Sequence, residues 1–161
     1  MWWSRHALLA AALLAMAGCG FHMRGQASLP VEMNRTYIAA EDRYTLFYRK
    51  LEDGLRMNGV DVTESPNDAT AVLRILDDQT GQRVLSVSAR NVPREYEVFY
   101  RIRFSVEAGE RRLIEPQEQA LIRDYTWDET RVLGKTREER LLREAIADDL
   151  VQLVMFQLAA L

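Results

Sequence analysis

The stretch EYEVFYRIRFSVE, Glu95 to Glu107, alternates apolar and polar side chains almost without a break. Successive residues of a strand point to opposite faces, so Tyr96, Val98, Tyr100, Ile102, Phe104 and Val106 share one side. Glu95, Glu97, Arg101, Arg103 and Glu107 take the other, where Phe99 interrupts the charges. An apolar face this long needs cover, and helices elsewhere in the chain have to supply it.

The same period of two extends from Ala69 to Asp128. Ala71, Leu73 and Ile75 share a face, and Leu85, Val87 and Ala89 stand opposite Ser86, Ser88 and Arg90. Turn signals at Gly81, Asn91 to Pro93, Gly109 and Pro116 divide the segment into four long strands in a meander, the last from about Gln119 to Trp127. Upstream, Thr36 to Ala40 is a short β-prone run, and Glu41 with Asp42 signals a helix start. Tyr44, Phe47, Tyr48, Leu51 and Leu55 follow at helical spacing, with Asn58 and Gly59 as a left-handed stop. Val60 and Val62 resume the period of two before Ser65 to Asp68 break the chain.

At the far end, Thr136 and Glu139 have capping-box spacing. Leu142, Ala145, Ile146, Leu150, Leu153 and Val154 form the buried stripe of a final helix, with Arg140, Arg143, Glu144 and Asp148 largely outside it. The expected fold is α+β, with two helices packed on one face of a mainly antiparallel four-stranded sheet, in a single domain over residues 36–161.

Composition narrows the function. The 161 residues are 48% hydrophobic and 28% charged, which suits one domain with a sizeable core. Lys and Arg number 21 against 24 Asp and Glu, a formal charge of −3, so there is no concentrated basic excess and no nucleic-acid partner is expected. Cys19 is the single cysteine, which excludes an internal disulfide and a multi-cysteine zinc site. The histidines are His6 and His22, both near the N-terminus, so no triad built on histidine is available to the domain. Asp77 with Asp78, and Asp148 with Asp149, are adjacent in sequence and point apart on a strand or helix. There is no glycine-rich phosphate loop and no metal-ligand spacing. The chain is not expected to be an enzyme or to hold a metal or cofactor.

Residues 1–18 read as a secretory leader, with Arg5 ahead of an apolar run from Ala7 to Ala17. That run is well short of the roughly 20 residues a spanning helix requires. Cleavage after a small residue, leaving a free thiol at Cys19, is the other reading. Ala17, Gly18 and Cys19 at the end of the run resemble the lipobox of bacterial lipoproteins, with Met16 where Leu is commonest. The resemblance implies a leader cut just before Cys19, two acyl chains carried on its sulfur, the nucleophile that accepts the lipid, and usually a further acyl group on the new N-terminus. Two or three acyl chains anchor a protein durably where one does not. Gly20 stands where inner-membrane retention typically uses Asp, which favours the outer membrane. Residues 19–35 would then form a lipidated tether.

Cys19, Gly20, Phe21, His22, Met23 and Arg24 open this tether, and with them the chain resembles the lipopolysaccharide-assembly lipoprotein family LptE, whose members begin with Cys, Gly, an aromatic, His, an aliphatic and Arg. The family resemblance implies an α+β domain that binds and plugs the outer-membrane β-barrel LptD, assists its assembly and helps deliver lipopolysaccharide to the outer leaflet. The alternative is an outer-membrane-anchored periplasmic binding or scaffold lipoprotein unrelated to lipopolysaccharide export. On either reading the protein has no cofactor beyond covalent lipid on Cys19.

Arg90 and Arg94 flank the Asn91-Val92-Pro93 turn, and Lys135 with Arg137 bracket the loop entering the last helix. Gathered at one end of the domain, they make a cationic cluster suited to paired phosphates. The same residues also read as ordinary solubilising loop charges. The resemblance implies lipopolysaccharide contact at the positions of Arg90 and Lys135. Phe99, Tyr125 and Trp127 are candidates for partner contact, since aromatics beside arginine mark interface centres. Partial burial of this sheet face by loops is the other reading.

Overall fold

In the computed structural model, which describes residues 29–127 and 132–161 and, in the last helix, side chains from Thr136 onward, the alternating stretch lies within a sheet of five strands. The elements are β1 (Arg35–Ala39), α1 (Leu46–Met57), β2 (Asp61–Thr63), β3 (Ala71–Val87), β4 (Pro93–Ala108), β5 (Arg111–Thr126) and α2 (Val132–Ala159). Strand order is β2-β1-β3-β4-β5. β1 runs parallel to both β2 and β3, whereas β3 with β4 and β4 with β5 are antiparallel.

The sheet therefore has one strand more than expected, and its short β1 and β2 are paired in parallel through the crossover that carries α1. The meander, conversely, has three long strands instead of four. Gly81 and Pro116 lie inside strands. Gly81 faces Phe99 across the β3–β4 ladder, and the Phe99 ring occupies the space a side chain at position 81 would fill. Pro116 sits on the edge strand β5, in the irregular register between the Phe104–Gln117 and Val106–Ile114 pairs. A missing backbone donor is tolerated at such a bulge.

The apolar face of β4 is covered as the alternation requires. Val98, Tyr100, Ile102, Phe104 and Val106 are buried against Phe47, Leu51 and Leu55 of α1 and Ile146, Ala147, Leu150, Val154 and Leu158 of α2. Tyr100 carries one polar atom into this core, and its Oη accepts a hydrogen bond from the Phe47 N–H at 3.1 Å. Burial, reinforced by the nearby Asp78 carboxylate, raises the Tyr100 phenol pKa well above its ordinary value.

Helix α1 starts later than the Glu41-Asp42 signal. Thr45 is its N-cap, accepting from the Tyr48 N–H at 3.1 Å, while Asp42 caps the preceding turn at the Tyr44 N–H. Tyr44 consequently lies outside the stripe and is 87% exposed. Gly59 ends the helix with φ 83°, the left-handed stop read from the sequence. Helix α2 starts earlier than expected, at Val132, which puts Thr136 and Glu139 inside it. In its stripe Leu153 is 40% exposed, and Val151, Met155 and Leu158 are buried instead. The core also takes in Met33, upstream of the Thr36 boundary. The leader, Cys19 and the tether as far as residue 28 lie outside the described residues.

Candidate functional site

β3 and β4 are joined by Ser88 to Val92. The Ser88 N–H donates to Val92 O at 2.8 Å, the Asn91 N–H to Ser88 O at 2.9 Å and the Val92 N–H to Ser88 Oγ at 3.2 Å. Asn91 closes the turn at φ 59°, a conformation asparagine adopts more readily than most residues. Arg90 is thereby left exposed at the tip, and Arg94 is exposed at the start of β4.

The carbonyl of Arg94 accepts the Trp127 N–H at 2.7 Å, so the end of β5 is tied to the start of β4. The chain leaves for α2 from the same end of the sheet as the hairpin tip, which brings the two basic segments to one end. Lys135 and Arg137 belong to the first turns of α2 and not to a loop, because the helix is already under way at Val132. The Lys135 side chain lies outside the described residues. Arg137 and Arg140 are exposed. They border a cleft of about 420 Å³ together with Thr136, Glu139 and Arg143. Arg143 is paired with Glu139 at 2.5 Å. No carboxylate among the described residues pairs with Arg90, Arg94, Arg137 or Arg140. These guanidinium groups are therefore available to an external anion, and planar guanidinium suits the oxygens of phosphate.

Beneath the basic end lies an aromatic group that the sequence did not reveal as a unit. Tyr96 stacks on Tyr125 with centroids 5.6 Å apart and planes at 16°, and meets Trp127 edge-on at 5.5 Å and 62°. Period two places Tyr96 and Tyr125 on strands, but only the register, which pairs them directly, reveals the stack. The Tyr125 hydroxyl donates to Gln82 Oε1 at 3.0 Å. Burial raises the Tyr125 phenol pKa, and Glu139 of α2 adds to the shift.

This packing corrects the reading of Tyr125 as a free partner-contact residue. Its register position turns it toward α2, where it is buried, and Trp127 is partly buried against the same core. The neighbouring Arg123 likewise turns to α2 and pairs with Asp149. Phe99 alone of the three candidates lies on the opposite face, beside its register partner Ile122, which is 57% exposed. Around them Arg101 contacts Gln79 at 2.5 Å and lies 3.6 Å from Asp77. Glu97, expected on the solvated side, is 5% exposed because Arg83 lies over it at 2.6 Å.

Among the described residues no group of His, Cys, Asp and Glu could hold a metal ion, and no helix is long and apolar enough to cross a membrane. The arrangement is one of binding surfaces: a basic end, a charged open face and an apolar face sealed by helices.

Residues 33–158 match the model of the family LptE, described as lipopolysaccharide-assembly. The chain belongs to the LptE family. An LptE from Photorhabdus laumondii, described as an LPS-assembly lipoprotein, is 35% identical over 80 residues, covering 50% of this chain and 44% of that protein. The LptE of Yersinia enterocolitica is 28% identical over 147 residues, covering 90% of this chain and 70% of its own length. Two solved structures share the LptE-family fold seen here. Lipoprotein B from Nitrosomonas europaea has a TM-score of 0.73 at 28% identity, covering 88% of this chain and 91% of its own. The rare lipoprotein B from Shewanella oneidensis has a TM-score of 0.68 at 26% identity, covering 78% and 94%. LptE is a family of assembly lipoproteins, so the absence of an enzymatic role follows from membership.

Proposed function

We propose that this LptE-family chain is an outer-membrane lipoprotein, anchored by lipid on Cys19, that plugs the lumen of the β-barrel LptD from the periplasmic side. It assists that barrel's assembly and meets lipopolysaccharide phosphates with its basic end as the glycolipid passes to the outer leaflet. The observation that carries the reading is the placing of Arg90, Arg94 and Arg137, exposed and without a carboxylate partner among the described residues, at one end of a chain whose net charge is negative. Lys135 is the further cation proposed for this end. Family membership supports the assembly role.

The test uses the lipidated full-length chain. Arg90→Asp combined with Lys135→Asp is expected to weaken lipopolysaccharide binding, and added salt is expected to weaken wild-type binding. Circular dichroism and co-purification with the barrel are expected to remain intact, since Arg90 is exposed at a hairpin tip and Lys135 lies in the first turn of α2, ahead of the buried stripe that starts at Ile146. Undiminished binding by the double variant at low salt would remove the site. Recovery of the native protein alone, with no β-barrel at one-to-one ratio, would favour an envelope scaffold.

A further inference from the structure

We propose that Trp127 is a positioning residue for the basic end: clamped on Tyr96, it holds the β3–β4 hairpin and the first turns of α2 at a fixed spacing, so that Arg90 and Arg137 engage one multiply charged anion together. The inference rests on the anion-binding reading above and adds to it the device that makes two separate chain segments act as one site.

Trp127 is the last described residue before the connection to α2, and both of its ends are held. Its N–H is bonded to Arg94 O at 2.7 Å, just beyond the hairpin loop that presents Arg90. Its ring lies 5.5 Å from that of Tyr96, edge-on. Tyr96 in turn stacks at 5.6 Å on Tyr125, whose hydroxyl reaches Gln82 on β3 at 3.0 Å. α2 runs back along β5, with Gln117 bonded to Gln157 at 2.9 Å and Arg123 paired with Asp149, so its first turns, which carry Arg137, lie toward the Tyr125 end of that strand. The three rings thus join β3, β4 and β5 below the hairpin that presents Arg90, at the end of the sheet where α2 begins. Side chains of this kind bring large contact area and few rotatable bonds, which suits a spacer.

The physical consequence concerns the cost of a second contact. Where two cationic segments are already held in register, an anion that meets one finds the other at high effective concentration and no new ordering is required. Where they move independently, each contact bears its own ordering cost and the two cease to reinforce one another.

The experiment is a double-mutant cycle on the lipidated full-length protein, with bisphosphorylated lipid A in detergent micelles as the probe. Arg90→Ala, Arg137→Ala and their combination are measured in the wild-type and Trp127→Ala backgrounds. In the wild-type background each single change is expected to lose about tenfold in affinity and the pair little more, the mark of coupled contacts. Trp127→Ala is expected to lose about as much by itself, after which the remaining arginine effects are small and additive. Trp127→Phe, which keeps an aromatic edge against Tyr96, restores both affinity and coupling. A loss of general stability would not restore coupling selectively, so this rescue separates positioning from mere support. If Trp127→Ala does not fold, Tyr96→Leu, which keeps apolar bulk and removes the ring, is expected to abolish the same coupling. Unchanged affinity and unchanged coupling in a folded Trp127→Ala or Tyr96→Leu protein overturn the inference while leaving the anion site standing. Wild-type binding by Arg90→Ala, Arg137→Ala and their combination overturns the inference together with the reading beneath it.

Discussion

Gly81 lies directly under the ring of Phe99, so close that a Cβ added at position 81 would stand 2.9 Å from Phe99 Cζ. The two are register partners on β3 and β4, and the ring fills the place of the missing side chain. Gly81→Val is expected to force the ring aside and to cost about 1–3 kcal/mol, the range for overpacking. Gly81→Ala should cost less, because the ring can tilt. Urea denaturation reads both, and an unchanged midpoint for Gly81→Val would show that the ring is not seated there.

Leu150 is fully buried in the stripe of α2. Leu150→Asp places an unpaired carboxylate in that core and is expected to lose at least about 4 kcal/mol, enough to unfold a marginal domain. Asp148, by contrast, pairs with Lys50 Nζ at 2.5 Å with its side chain 54% exposed. Asp148→Ala should cost no more than about 1 kcal/mol. Equal melting temperatures for wild type and Leu150→Asp would place the stripe in solvent.

The buried Tyr100 phenol has a pKa above the ordinary value of about 10. Folding therefore favours its neutral form. The stability this contributes is complete below the unfolded-state pKa and declines as pH rises from there toward the higher folded-state pKa. Tyr48 and Tyr125, also raised by burial, act in the same direction. Chemical denaturation between about pH 9 and 11 should show falling stability. Tyr100→Phe should flatten that slope, yet lower stability at neutral pH by about 1 kcal/mol, since the Phe47 N–H loses its acceptor. An alkaline slope identical in the variant would assign the effect to other groups.

Lipid on Cys19 predicts a mature N-terminus whose mass includes acyl chains and starts at that residue. Cys19→Ala should leave the membrane fraction yet retain the wild-type melting curve, because the described core runs from Met33 to Leu158. An unmodified thiol in the native protein would end the anchoring proposal.

The alternation of β4 was legible in full, from Val98 to Val106, because a strand buried on one face writes its register into every second residue. Gly81 and Pro116 misled for a common reason: each is a turn former by local preference, and each is kept in a strand by a neighbour distant in sequence, Phe99 in one case and the β4–β5 bulge in the other. The short β1 and β2 carry too few residues to display a period, and their parallel pairing depends on the crossover. Glu97 shows the limit of binary patterning, since a charged residue on the open face is buried when a cross-strand arginine lies over it. At the candidate site, Arg90 at a hairpin tip was readable from Asn91 and Pro93. That Tyr125 and Trp127 pack inward was not, because it depends on which strand lies beside β5 and where α2 begins.

The placement of α2 has a consequence for how the molecule comes into being. Seven buried residues of the core, Ile146, Ala147, Leu150, Val151, Val154, Met155 and Leu158, come from the final helix. Strands β3 to β5 can form their hairpins as they leave the ribosome, with α1 already made, but the part of their apolar face that α2 covers stays open until α2 has been synthesised. The core therefore closes only once α2 is available, and a chain truncated at Thr126 should bind an apolar dye such as ANS where the whole protein does not.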